Sequence, residues 1–578
     1  MALWKRNQLN EETHLWHLYQ EGIDYQIEAG LRYNIPKYVD FYEGRQWPAP
    51  TENTKNLPRP VLNIIKMICR SKKSSILSTP VNILYKSYCS NKDTDKLNSF
   101  AKSILKELNQ EGLDRQAVDD GIKKGSYFYH YYWDKYTQGL SGRADGGVRC
   151  EIIDPLNIFF SNPAETDEQK QDWILISTKT SLEKIKSMAD DGVDFSKEKE
   201  ERVKDSQSPQ NTVLLTRYFK ADGEIWCERG TKYSLVNRPF RLTPDKNYVK
   251  ELINKDTLII NNKDDSRTSQ NGEHTYKSKE SAYLETVLEK NAPKATLFPI
   301  VCGYYERKEG SIYGISEVEG LIPNQKAINF NVAMTLLNSQ QCAWGKYIAL
   351  PNALKGQTIS NSPGQVLIDY SGTGEGIKRM KDEGISQIPM SIVQAITELT
   401  RTVTGSNDII SGEALSSSLS GVAIAQLQAQ AEVPIEELRA TFWEAKKKQG
   451  IVLAQFIRLY YFDKEFIRIT KDEQGKECEV CDRFYSQDYE DCIFDVIVEP
   501  TKGSRSSVAS DINLLDTCLK NGSISFETYI KAYPEGAVSN KSSILKQIEA
   551  EKTEEIYALR KELEQYKNSK TPDPVSLI

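Results

Sequence analysis

The sequence predicts an α+β fold, drawn out over several structural regions and not gathered around one core. Three observations lead there. The chain has 578 residues, more than a single hydrophobic core organises. Through its first three hundred positions, apolar runs of strand length interrupt helical periodicities. Beyond them, helical stretches at 316–341 and 391–404 bracket a compact Gly/Pro/Ser-rich insertion, and a much longer helical pattern follows at 422–463.

Composition narrows the class. Hydrophobic residues make up 39% and charged residues 27%, with 30 Tyr, 17 Phe and 8 Trp, which is a folded composition rich in aromatics. Asp plus Glu number 81 against 75 Lys plus Arg, a net charge of −6, so a protein that coats nucleic acid by neutralising phosphates is excluded. Ten cysteines spread from Cys69 to Cys518 without a repeated spacing make no disulfide framework and suit a reducing compartment. The start Met1-Ala2-Leu3-Trp4-Lys5-Arg6 has no apolar signal core. No stretch approaches the roughly 20 apolar residues of a membrane span, so a soluble protein without a membrane partner is expected.

The elements follow in order. The first 55 or so positions read as helix and then loop, with aromatics gathered around Gly44. A helix at 60–75 carries Val61, Ile64, Ile65 and Ile68, a strand follows at 81–85, and an amphipathic helix spans 95–122. Two strands, 126–133 and 148–160, flank the Gly-rich loop 139–147. Alternation is expected to bury half of the aromatic run from Tyr127 to Trp133. Polar 197–205 and 261–278 read as exposed loops around strands such as 213–220.

The helix at 316–341 is apolar on several sides, with Val318, Leu321, Ile322, Ile328, Val332, Leu336 and Leu337 joined by Phe330, Ala333 and Met334, so it wants neighbours all round. Pro323 is expected to kink or start it. The helix at 391–404 presents a narrow stripe, Ile392, Ile396, Leu399 and Val403, suited to packing on another helix. Small polar residues fill 406–420. The long helix carries Pro434 as a bend, strands return at 466–470 and 492–499, and C-terminal helices end in the stripe Ile556, Leu559, Leu563 and Tyr566.

Signals for chemistry are weak. The four histidines, His14, His17, His130 and His274, suggest no pairing with a serine or cysteine nucleophile. No Gly-x-x-x-x-Gly-Lys-Ser/Thr loop is present, and Gly372 to Gly376 lacks the Lys-Ser/Thr that a phosphate cradle needs. Cys478 and Cys481 have the spacing of half a zinc site with only Cys492 near, so a hairpin with incidental cysteines is the better account. Lys446, Lys447 and Lys448 read as a solvated helix face. The aromatic run 127–133 reads as core, not as a base-stacking platform. No enzyme, metal or cofactor is expected.

The segments Phe41-Tyr42-Glu43-Gly44-Arg45-Gln46-Trp47, Asp154-Pro155-Leu156-Asn157-Ile158-Phe159 and Gly314-Ile315-Ser316-Glu317-Val318 occur in that order. Gln325 with Asn329 and Asn331 follows, then Ser420-Gly421-Val422-Ala423. In that order, up to about Pro500, the chain resembles the portal proteins of tailed bacteriophages. The resemblance implies a wing over 1–315, a stem helix at 316–341, a clip at 342–390, a second stem helix at 391–404, a tunnel loop at 405–420, the long helix and return strands of the wing at 421–500, and a helical crown at 501–578. It further implies a ring, usually of twelve copies, at one capsid vertex, assembled in the host cytoplasm. Double-stranded DNA would pass through it, and terminase, major capsid and scaffolding proteins and then a head-tail adaptor would be its partners.

Carried over, Ser406, Asn407, Asp408, Ser411, Glu413, Ser416, Ser417 and Ser418 would face DNA. Arg401, one turn away, would touch DNA or a neighbouring carboxylate. Ile328, Val332, Leu336, Ile392, Ile396, Leu399 and Val403 would pack the stem. Two other classes stay open at this point. One is a ring-forming tail-connector or capsid protein that never lines the DNA path, against which the stem hairpin speaks. The other is a nuclease, which lacks a clustered acidic motif.

Overall fold

The computed structural model describes residues 12–55, 57–87, 94–137, 146–198, 211–243, 294–343, 347–359, 366–372, 375–379, 388–405, 421–471, 477–489, 494–500 and 505–533, with short pieces between 544 and 563. The chain divides into two compact units. The larger takes 1–77, 83–413 and 432–499, and the smaller takes 78–82, 414–431 and 500–578. Helices and sheets mix along the described residues, as expected for an α+β fold.

The N-terminal stretch is two helices. α1 (His14–Glu28) starts where Thr13 accepts the Trp16 N–H, and α2 (Leu31–Glu43) follows Gly30, whose φ of +74° supplies the left-handed residue between them. α3 (Ile64–Leu77) leads to β1 (Val81–Ser87). The helix expected over 95–122 is broken into α4 (Thr94–Glu107) and α5 (Gln110–Lys124) at Asn109, which sits at φ +51°, a conformation asparagine tolerates better than most residues. The break separates two tasks: Phe100 of α4 stacks on Phe484 at 4.1 Å, while the buried face of α5 packs towards β2 (Ser126–Asp134).

β2 lies between β3 (Gly147–Ile153) and β9 (Ile300–Tyr304) in a three-stranded antiparallel sheet, with Tyr131 opposite Cys150 and Phe128 opposite Cys302. The single strand expected over 148–160 does not form. β3 stops at Ile153, Asp154 caps a short 3-10 turn at Pro155–Asn157 through the Leu156 N–H, and β4 (Ile158–Phe160) enters a second sheet. Proline has no N–H to give a ladder, so the chain changes sheets there. The second sheet runs β4, β5 (Trp173–Ser181), β6 (Asn211–Ala221), β7 (Glu224–Gly230) and β8 (Leu235–Arg241), all antiparallel. α6 (Leu182–Met188) covers part of it, with Leu182 and Ile185 against Leu214 and Val236.

The aromatic strand is core, but it is buried on both faces and not on alternate residues: Ser126 through Tyr131 are all buried. Tyr127, Tyr129 and Tyr131 face the helices, and Phe128 and His130 meet the second sheet through Phe160 and Tyr218. A strand covered on both sides loses the half-polar pattern from which alternation is read.

α7 (Glu317–Ala343) and α8 (Ile388–Val403) form a hairpin whose tip holds β10 (Tyr347–Ala349) paired antiparallel with β11 (Ile377–Arg379). Pro323 lies inside α7, six residues past its first position, and does not start it. α9 (Gly421–Tyr460) is 40 residues long and contains Pro434. After it, β12 (Asp463–Lys471) and β13 (Glu477–Tyr485) make the expected hairpin, and β14 (Phe494–Pro500) pairs with β1. In the smaller unit α10 (Arg505–Lys520) and α11 (Phe526–Ala532) pack through the Tyr529 hydroxyl, which donates to Asp516 at 2.6 Å. Of the terminal stripe, Leu559 and Leu563 are exposed, while Ile556 and Tyr566 lie outside the described residues.

The lysine run is not a solvated face. Lys446 is buried against Asp114, Lys448 reaches buried Glu168 at 2.9 Å, and only Lys447 is exposed. The reason is the breadth of the α9 face turned to the core, where Phe442, Ala445, Gln449, Val452, Leu453 and Phe456 are buried on either side of Lys446.

His130 ties the two sheets together. Its Nδ1 lies 2.9 Å from Glu151 on β3 and its Nε2 2.8 Å from the Tyr218 hydroxyl on β6. The hydrogen bond to His130 holds the Glu151 carboxyl below its ordinary range. A depressed carboxyl contributes stability above its unfolded value, near 4.3, that is lost as pH falls through the folded value. Glu151→Gln is therefore expected to lose less thermal stability than the native chain between about pH 5 and pH 3, and parallel acid limbs in thermal melts would contradict this.

Candidate functional site

The base of the α7–α8 hairpin is assembled from three of the sequence segments singled out above. Gly314 presses on Gly125: a Cβ there would lie 2.6 Å from the carbonyl oxygens of Gly125 and Glu306, so no larger residue fits. Its N–H donates to Ser126 Oγ at 2.7 Å. Ser316 then caps α7, accepting the Val318 N–H at 3.1 Å while its hydroxyl lies within 2.9 Å of the Ile122 and Lys123 carbonyls at the end of α5. Glu317 accepts from Lys72 Nζ and from the Tyr305 hydroxyl, both at 2.8 Å.

Two and three turns further on, buried Gln325 and Asn329 hold the stretch of chain that leads into α3. Gln325 Oε1 accepts the N–H groups of Ile64 and Ile65 at 3.0 and 3.3 Å, and its Nε2 donates to the Leu62 carbonyl at 2.7 Å and to Asn329 Oδ1 at 3.0 Å. Asn329 accepts the Leu62 N–H and donates to Gln46 Oε1 at 2.6 Å, and Gln46 donates on to the Phe41 carbonyl. Trp47 Nε1 closes the joint on the Pro60 carbonyl at 2.8 Å. Asn331 takes no part; its amide donates to the Ala327 carbonyl within α7.

The Asp154 segment is a second joint. Lys124 Nζ bridges to Asp154 at 2.7 Å, and buried Gln26 donates to the Pro155 and Ile158 carbonyls at 3.2 Å each. Gln455 and Gln169 clamp 296–300 in the same way. These glutamines carry no sequence signal of their own, because their partners lie more than a hundred residues away.

The hairpin arms touch through Asn324, which donates to Thr400 Oγ1 at 3.0 Å, and through Val332, Val393 and Ile396. Thr397, Thr400, Thr402 and Thr404 turn their hydroxyls back to carbonyls four residues earlier, so the polar side of α8 is satisfied locally. Of the proposed stem residues, Ile328 is buried in the chain itself and Val332 and Ile396 are partly so, whereas Leu336, Ile392, Leu399 (65% exposed) and Val403 (85%) are open. Arg401 is half-buried on α8. The candidate loop residues Ser406, Asn407, Asp408, Ser411, Glu413, Ser416, Ser417 and Ser418, and Ser420 after them, lie outside the described residues.

Cys478 and Cys481 stand opposite Thr470 and Ile467 in the β12–β13 ladder. Among the described residues there is no group of three or more metal-ligating side chains. His14 is spent on Glu228 as His130 is on Glu151 and Tyr218. The Asp369 carboxylate accepts the N–H groups of Ser371 and Gly376 at 2.8 Å, so these flanks of the glycine run serve a turn and not an anion.

A family model of the phage P22-like portal proteins matches residues 19–507. The chain belongs to that family. A search of curated proteins found no match. The portal match runs from within α1 through both joints, the hairpin and α9, to the first residues of α10. Portal proteins are structural components of the virion, and membership places this chain in a non-enzymatic family. No helix among the described residues is long and apolar enough to cross a membrane.

Gln325→Leu removes the partners of two buried N–H groups and one carbonyl at once. The expected loss is about 3 kcal/mol or more, at 1–3 kcal/mol for each orphaned group, read as a lower denaturant midpoint. A loss under about 0.5 kcal/mol, the range of an ordinary surface change, would contradict the joint's role.

Proposed function

We propose that the chain is the portal subunit whose copies close into a ring at one capsid vertex, forming the channel for DNA packaging, retention and ejection. The observation that carries this beyond family membership is the apolar stripe on the hairpin. Ile392, Leu399 and Val403 on α8, with Phe330 and Leu336 on α7, are exposed in a single chain, and a monomer gains nothing from leaving them in water. A head-to-tail interface that closes on itself buries such a stripe once per subunit. Copies numbering about twelve, the usual portal number, are the expectation.

In this reading 342–390, with its exposed Tyr347, Ile348 and Val366, is the clip that docks terminase and later the adaptor, and residues past 501 form the crown. Scaffolding and major capsid proteins meet the ring's rim. The DNA path is lined by small polar and acidic residues of 406–420. A wall of that kind lets a duplex slide, since phosphate contacts from a Lys/Arg lining would add up and hold it. Arg401, in the last turn of α8 ahead of that loop in sequence, is the candidate contact to DNA or to a neighbour's carboxylate.

Two variants test the reading. Leu399→Asp with Val403→Asp alters only exposed positions, so the subunit is expected to keep its circular dichroism and melting temperature while losing the ring in sedimentation. An intact ring would overturn the stem assignment. Deleting 406–420 is expected to leave the ring intact and to impair DNA retention in particles, and normal packaging would overturn the tunnel-loop assignment.

A further inference from the structure

α9 turns an unusually regular face to the body of the larger unit. Ile435, Phe442, Gln449 and Phe456 repeat every seven residues and are buried, as are Ala445, Val452 and Leu459, and beside them Arg439, Lys446, Leu453 and Tyr460. Such a face has a register problem. A slip of seven residues maps it onto itself, and a slip of one turn moves each row onto its neighbour, so apolar contact alone barely distinguishes these positions. Three of these inward positions are polar: Arg439, which donates to the Ser75 carbonyl at 3.0 Å, and Lys446 and Gln449; beside these rows, buried Gln455 bonds the backbone of Thr296 and Leu297.

Lys446 and Gln449 meet α5 in a short antiparallel ladder. Lys446 Nζ pairs with Asp114, and Gln449 Oε1 accepts from Gln110 Nε2 at 3.2 Å. Gln110 also donates to Asp114 at 2.9 Å, and the Tyr129 hydroxyl donates to the same carboxylate at 2.9 Å. Asp114 thus takes three donors in a setting where Lys446, Gln110, Gln449 and Tyr129 are all buried. An ion pair in such a place adds little net stability, because desolvation offsets the attraction; a slipped helix, however, would bury both charges unpaired at a cost of several kcal/mol.

We propose that Lys446–Asp114, backed by Gln449–Gln110, is a register lock: it fixes where α9 sits along α5 and β2 and is not there to add stability. The apolar rows hold the helix on, and the polar ladder selects one of the positions those rows permit.

The test is an apolar variant, Asp114→Val with Lys446→Met and Tyr129→Phe, in the full-length chain. Spin labels are carried by ketone amino acids at exposed Ala440 and Lys102 and diluted with unlabelled chain, and their separation is read by pulsed dipolar spectroscopy. The native chain is expected to give one narrow distance. The variant is expected to melt at or above the native temperature and to show a second population displaced by about 5 Å, one helical turn. Asp114→Val alone, which leaves Lys446 unpaired, is expected to melt well below both. A stable variant with only the native distance would overturn the proposal, as would one that fails to fold or melts below native, since the ladder would then be supplying stability.

Discussion

The larger unit depends on a single physical constraint: buried backbone that belongs to no helix or sheet must still find hydrogen-bond partners. Residues 62–65, running into α3, 155–158, running into β4, and 296–300, running into β9, each leave backbone groups that no helix or sheet ladder pairs. Each is clamped by a glutamine, Gln325, Gln26, and Gln169 with Gln455 respectively. A glutamine offers a carbonyl and an N–H on one flexible arm and can stand in for a missing strand. Because Gln325, Gln26 and Gln455 come from α7, α1 and α9, they fasten those helices to the body by directional bonds. The first half of α7 also packs into the main core through Val318, Leu321, Ile322 and Ile328.

That division of labour matches the portal role. Inside the subunit, position is set by polar joints: Gln325 with Asn329 and Gln46, Glu317 with Lys72, and Lys446 with Asp114. These work only in one geometry. On the proposed stem, the exposed faces of α7 and α8 offer apolar surface at Phe330, Leu399 and Val403, which is less demanding of angle. A ring that has to adapt at its interfaces and stay rigid within each subunit is served by that arrangement.

Much of this was legible in the sequence, and the failures have physical causes. The hairpin, its small tip and the long helix were read from periodicity and glycine-rich punctuation, because local pattern decides such elements. The segments around Gln46, Asp154 and Gly314 stood out by order, and the structure gives them a reason: each is a joint. The aromatic strand misled, since Phe128 and His130 are covered by a second sheet that no local pattern announces. Lys446 misled for the same cause. A lysine run reads as solvent-facing until its partner, Asp114, is known, and that partner lies more than three hundred residues away. Asn109 and Pro155 each broke an element whose apolar spacing ran straight through them.

The central claim is that the chain closes on itself through its hairpin. The measurement that meets it most directly is the mass and rotational symmetry of the purified protein, by native mass spectrometry with electron-microscopy class averages. The account predicts a closed ring of about a dozen subunits around a central hole; a stable monomer or dimer as the only species would contradict it.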